Sequence, residues 1–303
     1  MTRSHPPAPP SRTLPDEHWE HFTLYHDVRE ALSTLPIYFR TETHIAGVMA
    51  TDLHTLNTVL GATIEDQVVR TLNLIRSSWD PDGRYALYSF VRHPQSFPDV
   101  RLRKATGDDT LLGLELKGWY LLAKETEPSL RFQTTAAACA EQDLIVVVPW
   151  VLSNVISGSP TLYEPFVESA RYAAEYRNHH WRHLRSTSSD PEIVEPTNAA
   201  PYPAKADQIL DRPVNDAGGN FGRLARTGIM DDYMRKLDDV TLCGIRAEFW
   251  RQFLKSFQES TTEDEARAAL ERLRKRVLVS SPASPRGESA LRILIELENL
   301  LNE

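Results

Sequence analysis

The apolar residues Leu56, Leu60, Ile64, Val68, Leu72 and Ile75 recur every three or four positions, which predicts an amphipathic helix over 55–76. The string Asp80-Pro81-Asp82-Gly83 that follows is turn chemistry, and the aromatic-rich stretch 85–92 reads as a strand. From 98 to 117 the pattern changes to alternation. Val100 and Leu102 precede the five-residue connection Thr106-Gly107-Asp108-Asp109-Thr110, and Leu112, Leu114 and Leu116 follow it. Period two on both sides of a polar, glycine-containing connection predicts a β-hairpin with one face toward a core. The alanine-rich stretch 134–142 reads as helix. The continuous β-branched run over 143–152 reads as a strand buried on both faces, and 162–185 as a second helix. Helix, strands, helix, buried strand, helix is the order of a mixed α/β core, here 55–185.

The flanks read differently. Residues 1–15 hold five prolines and are expected to form a disordered arm. Residues 16–54 are helical or irregular, broken at Pro36 and Gly47, and 186–206, with four prolines, reads as a loop or linker. The C-terminal region 207–303 is helical by pattern over 221–237, 242–257, 262–278 and 288–301. Thr261, with Glu263, Asp264 and Glu265 behind it, makes a helix start.

Composition narrows the class. At 41% hydrophobic and 25% charged, the chain is an ordinary globular one. Cys139 and Cys243 are too few for a disulfide scaffold or a four-thiolate zinc site. No apolar leader opens the chain, and the longest apolar run, 144–156, is too short to span a bilayer. A soluble cytoplasmic protein with no membrane role is expected. The formal net charge of −8 argues against bulk coating of nucleic acid, so any such role must rest on a local basic face.

The hairpin carries the candidate chemistry. With its turn centred near Asp108, Asp99 falls opposite Lys117 and diagonal to Glu115, and equal parity puts all three on one face. Two neighbouring carboxylates repel and readily share a hard divalent cation. Such an ion polarises a phosphate and makes a hydroxide nucleophile accessible near neutral pH, while an adjacent lysine orients water. The parts suit phosphodiester hydrolysis. The bland alternative is a solvated hairpin face whose charges merely pair.

Pro98-Asp99 followed by Glu115-Leu116-Lys117 resembles the PD-(D/E)xK motif of the restriction-endonuclease-like nucleases. By order of elements the resemblance covers 55–185. It implies a mixed β-sheet flanked by helices, with the helical C-terminal region as an extension serving DNA recognition, dimerisation or both. It also implies a Mg2+ ion, for which Mn2+ substitutes, on Asp99 and Glu115, with Lys117 orienting the water. Glu65, on the border of the apolar stripe of the first helix, matches the accessory acid of the family. The activity implied is that of a DNA endonuclease of the type II restriction kind, acting on double-stranded DNA as a homodimer. A repair or recombination nuclease on structured DNA, and a non-catalytic interaction module on the same fold, are the alternatives.

Basic residues cluster around the hairpin: Arg84, Arg92, Arg101, Arg103 and Lys104, with Asp99 the only acid between the first and the last. Together with Arg177, Arg182 and Arg223 they are the candidate DNA contacts. The helix carrying His179, His180 and His183 lacks the intervening Glu of a zinc protease and is either a solvated face or a phosphate contact. Gly218-Gly219-Asn220-Phe221-Gly222-Arg223 follows no strand and is not a dinucleotide fingerprint.

Overall fold

The structure is a computed structural model that describes residues 7–12, 14–93, 95–107, 109–123, 127–185, 190–216, 218–280 and 292–295. Helix α1 (Phe22–Ser33) and the short α2 (Leu35–Tyr38) fill the N-terminal region, with Pro36 in the first turn of α2, where its missing N–H costs nothing. The helix expected over 55–76 is α3 (Leu53–Leu74), continued by α4 (Arg76–Trp79), and all six residues of the apolar stripe are buried.

The sheet is mixed. Strands β1 (Tyr88–Arg92), β2 (Val100–Lys104), β3 (Thr110–Tyr120), β4 (Leu144–Leu152) and β5 (Pro160–Leu162) lie in sequence order. A further strand, β6 (Phe166–Ser169), pairs with the first half of β4, beside β5. Only β3 and β4 run parallel. Every residue of β4 is buried, as its unbroken apolar run requires. Helix α3 packs on β1 and β3, and α5 (Ala170–His179) on β4 and β6. Asn73 pins α3 to the edge strand by donating to Phe90 O (2.8 Å) and accepting from Phe90 N (2.9 Å).

Four of the expected helices are shortened or replaced. Residues 134–142 form only a short 3₁₀ turn, Ala136–Ala138. Thr134 bridges to Leu210, and the N–H of Thr135 donates to Ile209 O at 2.7 Å, pairing that a helix would forfeit. Over 162–185 the helix begins only at Ala170, capped by Ser169 Oγ, because Phe166–Ser169 extends the sheet. Over 221–237 helix α6 (Asp231–Asp238) begins only at Asp231, and over 242–257 helix α7 (Ala247–Lys255) follows a small hairpin, β9 (Thr241–Leu242) and β10 (Ile245–Arg246). The turn of that hairpin needs Gly244 at φ +80°.

Helix α8 (Glu263–Ser280) begins where Thr262 and Glu265 cap each other, and residues of α6, α7 and α8 join the same apolar core as the sheet. Of the helix expected over 288–301, only 292–295, which are helical, lie within the described residues. The prolines of 186–206 do make a loop, but its described part packs onto the protein. β7 (Ile193–Val194) pairs with β8 (Arg212–Pro213), the half-buried Tyr202 donates to the buried Asp143, and Asp211 just beyond the loop is fully buried. The described part of the N-terminal arm has no secondary structure, yet Arg12 pairs with Glu168 at 2.9 Å and stands over the Tyr172 ring. Among the described residues no helix is long and apolar enough to cross a membrane.

Candidate active site

The register of the central hairpin is Val100↔Leu114, Arg101↔Gly113 and Leu102↔Leu112, with a bulge before Arg103. Continued by one residue it sets Asp99 opposite Glu115 rather than Lys117. The slip from expectation is two residues, which preserves parity, so Asp99, Glu115 and Lys117 still share a face. The alternate residues Val100, Leu102, Leu112, Leu114 and Leu116 are buried against the core.

Asp99 Oδ2 accepts the N–H of Leu116 at 3.0 Å. Lys117 Nζ donates to Glu115 Oε1 at 2.7 Å and lies 4.0 Å from Asp99 Oδ2. From α3, Glu65 pairs with Arg92 at 3.4 Å and is close enough to act on the charges of Lys117, Glu115 and Asp99. The three acids and the lysine named from the sequence thus converge.

Their electrostatics follow from crowding in a recessed place. Burial and the Glu115 carboxylate push the Asp99 carboxyl up to about 7. Burial also raises the Glu65 carboxyl, against the pull of Lys117 and Arg92. Burial alone would lower the Lys117 ammonium, but Glu115 and Asp99 outweigh it and hold its pKa above the ordinary value.

Asp99 and Glu115 open into a cleft of about 460 Å³ whose far wall is the 204–212 segment. Lys205 Nζ donates to Gln95 Oε1 at 2.6 Å across the cleft. This wall is anchored below by Asp143, which the sequence pattern marks only as the start of a strand. Its buried carboxylate accepts from Gly113 N (2.8 Å), Ala140 N (2.9 Å) and Tyr202 Oη (3.1 Å), and burial raises its pKa to about 6. It joins β3, the turn before β4 and the covering loop.

Two hard carboxylates side by side, with one carboxyl raised, form a donor set that suits a divalent cation such as Mg2+ or Mn2+. Among the described residues no three His, Cys, Asp or Glu side chains surround one ion position. A cation on Asp99 and Glu115 would therefore complete its shell with water and substrate oxygens, as magnesium commonly does.

The candidate DNA contacts divide. Arg84 is exposed, and Arg92, Arg103 and Lys104 are half-buried near the hairpin. Arg103 donates to Gly107 O at 2.7 Å, and Lys104 pairs with Asp109 at 2.9 Å. Arg182 is on the surface, paired with Glu195 at 2.5 Å, and Arg223 is half-buried with Nε donating to Gly219 O at 3.0 Å. Two do not fit the role. Arg101 is buried, donates to Phe97 O (3.0 Å) and Pro203 O (3.3 Å), and stands over the Tyr202 ring, fastening the covering loop. Arg177 is 1% exposed and pairs with Asp211, while its guanidinium also donates to Phe132 O (2.7 Å) and Thr134 O (3.0 Å). A buried arginine needs such partners, and its spacing in sequence does not reveal them.

No family model, curated protein or solved structure matches the chain.

Proposed function

We propose that the protein is a Mg2+-dependent DNA endonuclease of the PD-(D/E)xK kind, of restriction type, that cuts double-stranded DNA as a two-fold dimer. The observation that supports this best is the meeting of Asp99, Glu115 and Lys117 on one face of a hairpin, near Glu65 of α3, with Asp99 and Glu115 lining a cleft. Asp99 and Glu115 would hold the cation, which when bound polarises the scissile phosphate and lowers the pKa of water.

The chain's own groups do the rest. Lys117, with its pKa raised by both acids, remains an ammonium and places the attacking water in line with phosphorus. Glu65, which feels the same charges, would accept a hydrogen bond from water at the site and is itself steadied by Arg92. Attack opposite the 3′-oxygen leaves a 5′-phosphate. Exposed Arg84 and the hairpin bases Arg92, Arg103 and Lys104 give the anionic protein a local basic surface for DNA phosphates. Cleavage of both strands needs two such sites, hence the dimer.

The test is incubation of supercoiled plasmid and phage DNA with Mg2+, with Mn2+ and with chelator, beside Asp99→Ala and Lys117→Ala. Discrete metal-dependent fragments, absent with either variant, are expected. Cleavage that survives in either purified variant would overturn the assignment.

A further inference from the structure

The far wall of the acidic cleft, the 204–212 segment, carries two exposed bases that no step above uses, Lys205 and Arg212. Lys205 Nζ has a neutral partner, the Gln95 amide oxygen at 2.6 Å, and among the described residues no carboxylate pairs with it. Among the same residues the Arg212 guanidinium has neither a hydrogen bond nor an ion pair. The acid of this wall that lines the cleft, Asp207, is turned onto its own loop, where it accepts the N–H of Ala204 at 2.8 Å. Two bases against one acid leave the wall positive, facing the carboxylates of Asp99 and Glu115.

The backbone that carries both bases is held from either side. Tyr202 Oη donates to Asp143 and Arg101 donates to Pro203 O, which fixes the loop just before Lys205. At the tip, Asp207 N donates to Ala204 O at 3.0 Å and closes a turn. Beyond it, Thr135 N donates to Ile209 O at 2.7 Å, and Arg212 pairs with Val194 where β7 meets β8. Asp211, fully buried and paired with Arg177, points inward, and alternation along the chain sends Arg212 outward. An arginine that ties down nothing of the fold, on backbone that is itself tied down, is available to a ligand.

Two carboxylates alone repel a phosphodiester, and one cation on them serves one phosphate. A nucleic-acid strand brings further phosphates on either side of it, each needing a positive partner. A cleft of about 460 Å³ is the size of a pocket for one drug-sized ligand, so a single backbone enters between the walls and the rest of a duplex stays outside. We propose that Arg212 and Lys205 grip the phosphates flanking the scissile one, Arg212 through paired N–H donors and Lys205 as a point charge that gives up Gln95. Phosphate contacts position a strand without reading its sequence, so this wall sets the register of the strand over Asp99 and Glu115. This role rests on the nuclease reading above, to which it adds the groups that seat the strand.

Two measurements on the full chain test it: binding of a labelled duplex in chelator over a salt series, and cleavage kinetics of the same duplex in Mg2+. Arg212→Ala is expected to lose about tenfold in affinity and to lower the slope of log affinity against log salt by about 0.9. Arg212→Lys keeps the charge, so its slope should match the parent while affinity falls a few-fold. Lys205→Ala is expected to lose only a few-fold, since the parent lysine must first leave Gln95. In Mg2+, the KM of Arg212→Ala should rise about tenfold with kcat within about twofold of the parent. Its urea midpoint should not move, because the guanidinium has no partner in the fold. Cleavage by the parent, with Arg212→Ala and Lys205→Ala equal to it in affinity, slope and KM, keeps the nuclease reading and overturns the seat on this wall. Duplex binding that shows these losses in a chain that never cuts removes the nuclease reading and leaves a strand-binding wall. No duplex binding by the parent even at low salt overturns the seat.

Discussion

The carboxylate of Asp99 accepts the N–H of Leu116, the residue between Glu115 and Lys117, so the acid at the foot of β2 is tied to β3 at its most charged point. That bond holds Asp99 where burial and Glu115 drive its carboxyl from the ordinary 3.8 up to about 7. A carboxyl raised on folding takes up a proton between those values, so its contribution favours the folded chain below about pH 4 and is lost as pH rises toward about 7. Asp99→Asn keeps the acceptor and removes the charge. It is expected to be more stable than the parent by on the order of 1–2 kcal/mol at about pH 8 without divalent ions, the gap closing as pH falls toward about 4. Urea midpoints across that range check it; a gap that does not change with pH would sink the idea.

Lys117 is the cation that now stands between the two acids, bonded to Glu115 at 2.7 Å. Lys117→Met leaves two recessed carboxylates facing each other and is expected to cost about 2–3 kcal/mol near neutral pH. Mg2+ or Mn2+ in the millimolar range should restore much of that loss, because a divalent ion binds where the ammonium stood. Thermal melts of parent and variant with metal and with chelator make the comparison. Equal metal-induced shifts in Lys117→Met and in a Lys117→Met variant that also carries Asp99→Ala would show that the cation does not bind there.

The hairpin and its acids were legible because alternation and parity are local facts. Apolar residues at 100, 102, 112, 114 and 116 leave the odd positions no choice of face, and even a two-residue slip in register does not move them. Glu65 was legible for the same reason, from its place beside a helical stripe. What could not be read depends on partners far along the chain. Alanine-rich 134–142 resembles a helix until the 209–211 segment pairs with it, and Arg101 resembles a DNA contact until Tyr202 and Pro203 cover it. Asp143 gave little local signal, since two of its three donors come from residues 30 and 59 positions away. A Gly at 113 between two leucines was the available hint, as a missing side chain inside a strand marks a close approach.

That approach is measurable. A Cβ at Gly113 would lie 2.3 Å from Pro98 Cγ and 2.6 Å from Asp143 Oδ1, whereas one at Gly118 meets nothing nearer than 3.6 Å. Gly113→Ala is therefore expected to destabilise by about 2–4 kcal/mol, pushing Pro98, and with it Asp99, away from Glu115. Gly118→Ala on the same strand should be close to neutral. Denaturation of both variants decides it, and a Gly113→Ala chain as stable as the parent would mean that Asp143 does not occupy the space beside this glycine.

Arg101 and Arg84 make the sharpest contrast between two arginines drawn from one basic cluster. Arg101 is buried, with two carbonyls and the Tyr202 ring as partners; Arg84 is exposed, its guanidinium 5.5 Å from the Tyr85 ring centre. Removal of Arg101 strands the carbonyls of Phe97 and Pro203 and loosens the loop over the cleft, so Arg101→Ala is expected to lose about 2–3 kcal/mol of stability. Arg84→Ala should leave the denaturation midpoint where it is and act on nucleic acid alone. Loss of one phosphate contact lowers the slope of log affinity against log salt for duplex DNA by about 0.9. Binding of duplex in chelator over a salt series, set beside urea midpoints for both variants, reads the two effects separately. If Arg84→Ala changes stability instead, or leaves the salt slope untouched, this arginine does not belong to the DNA-facing surface.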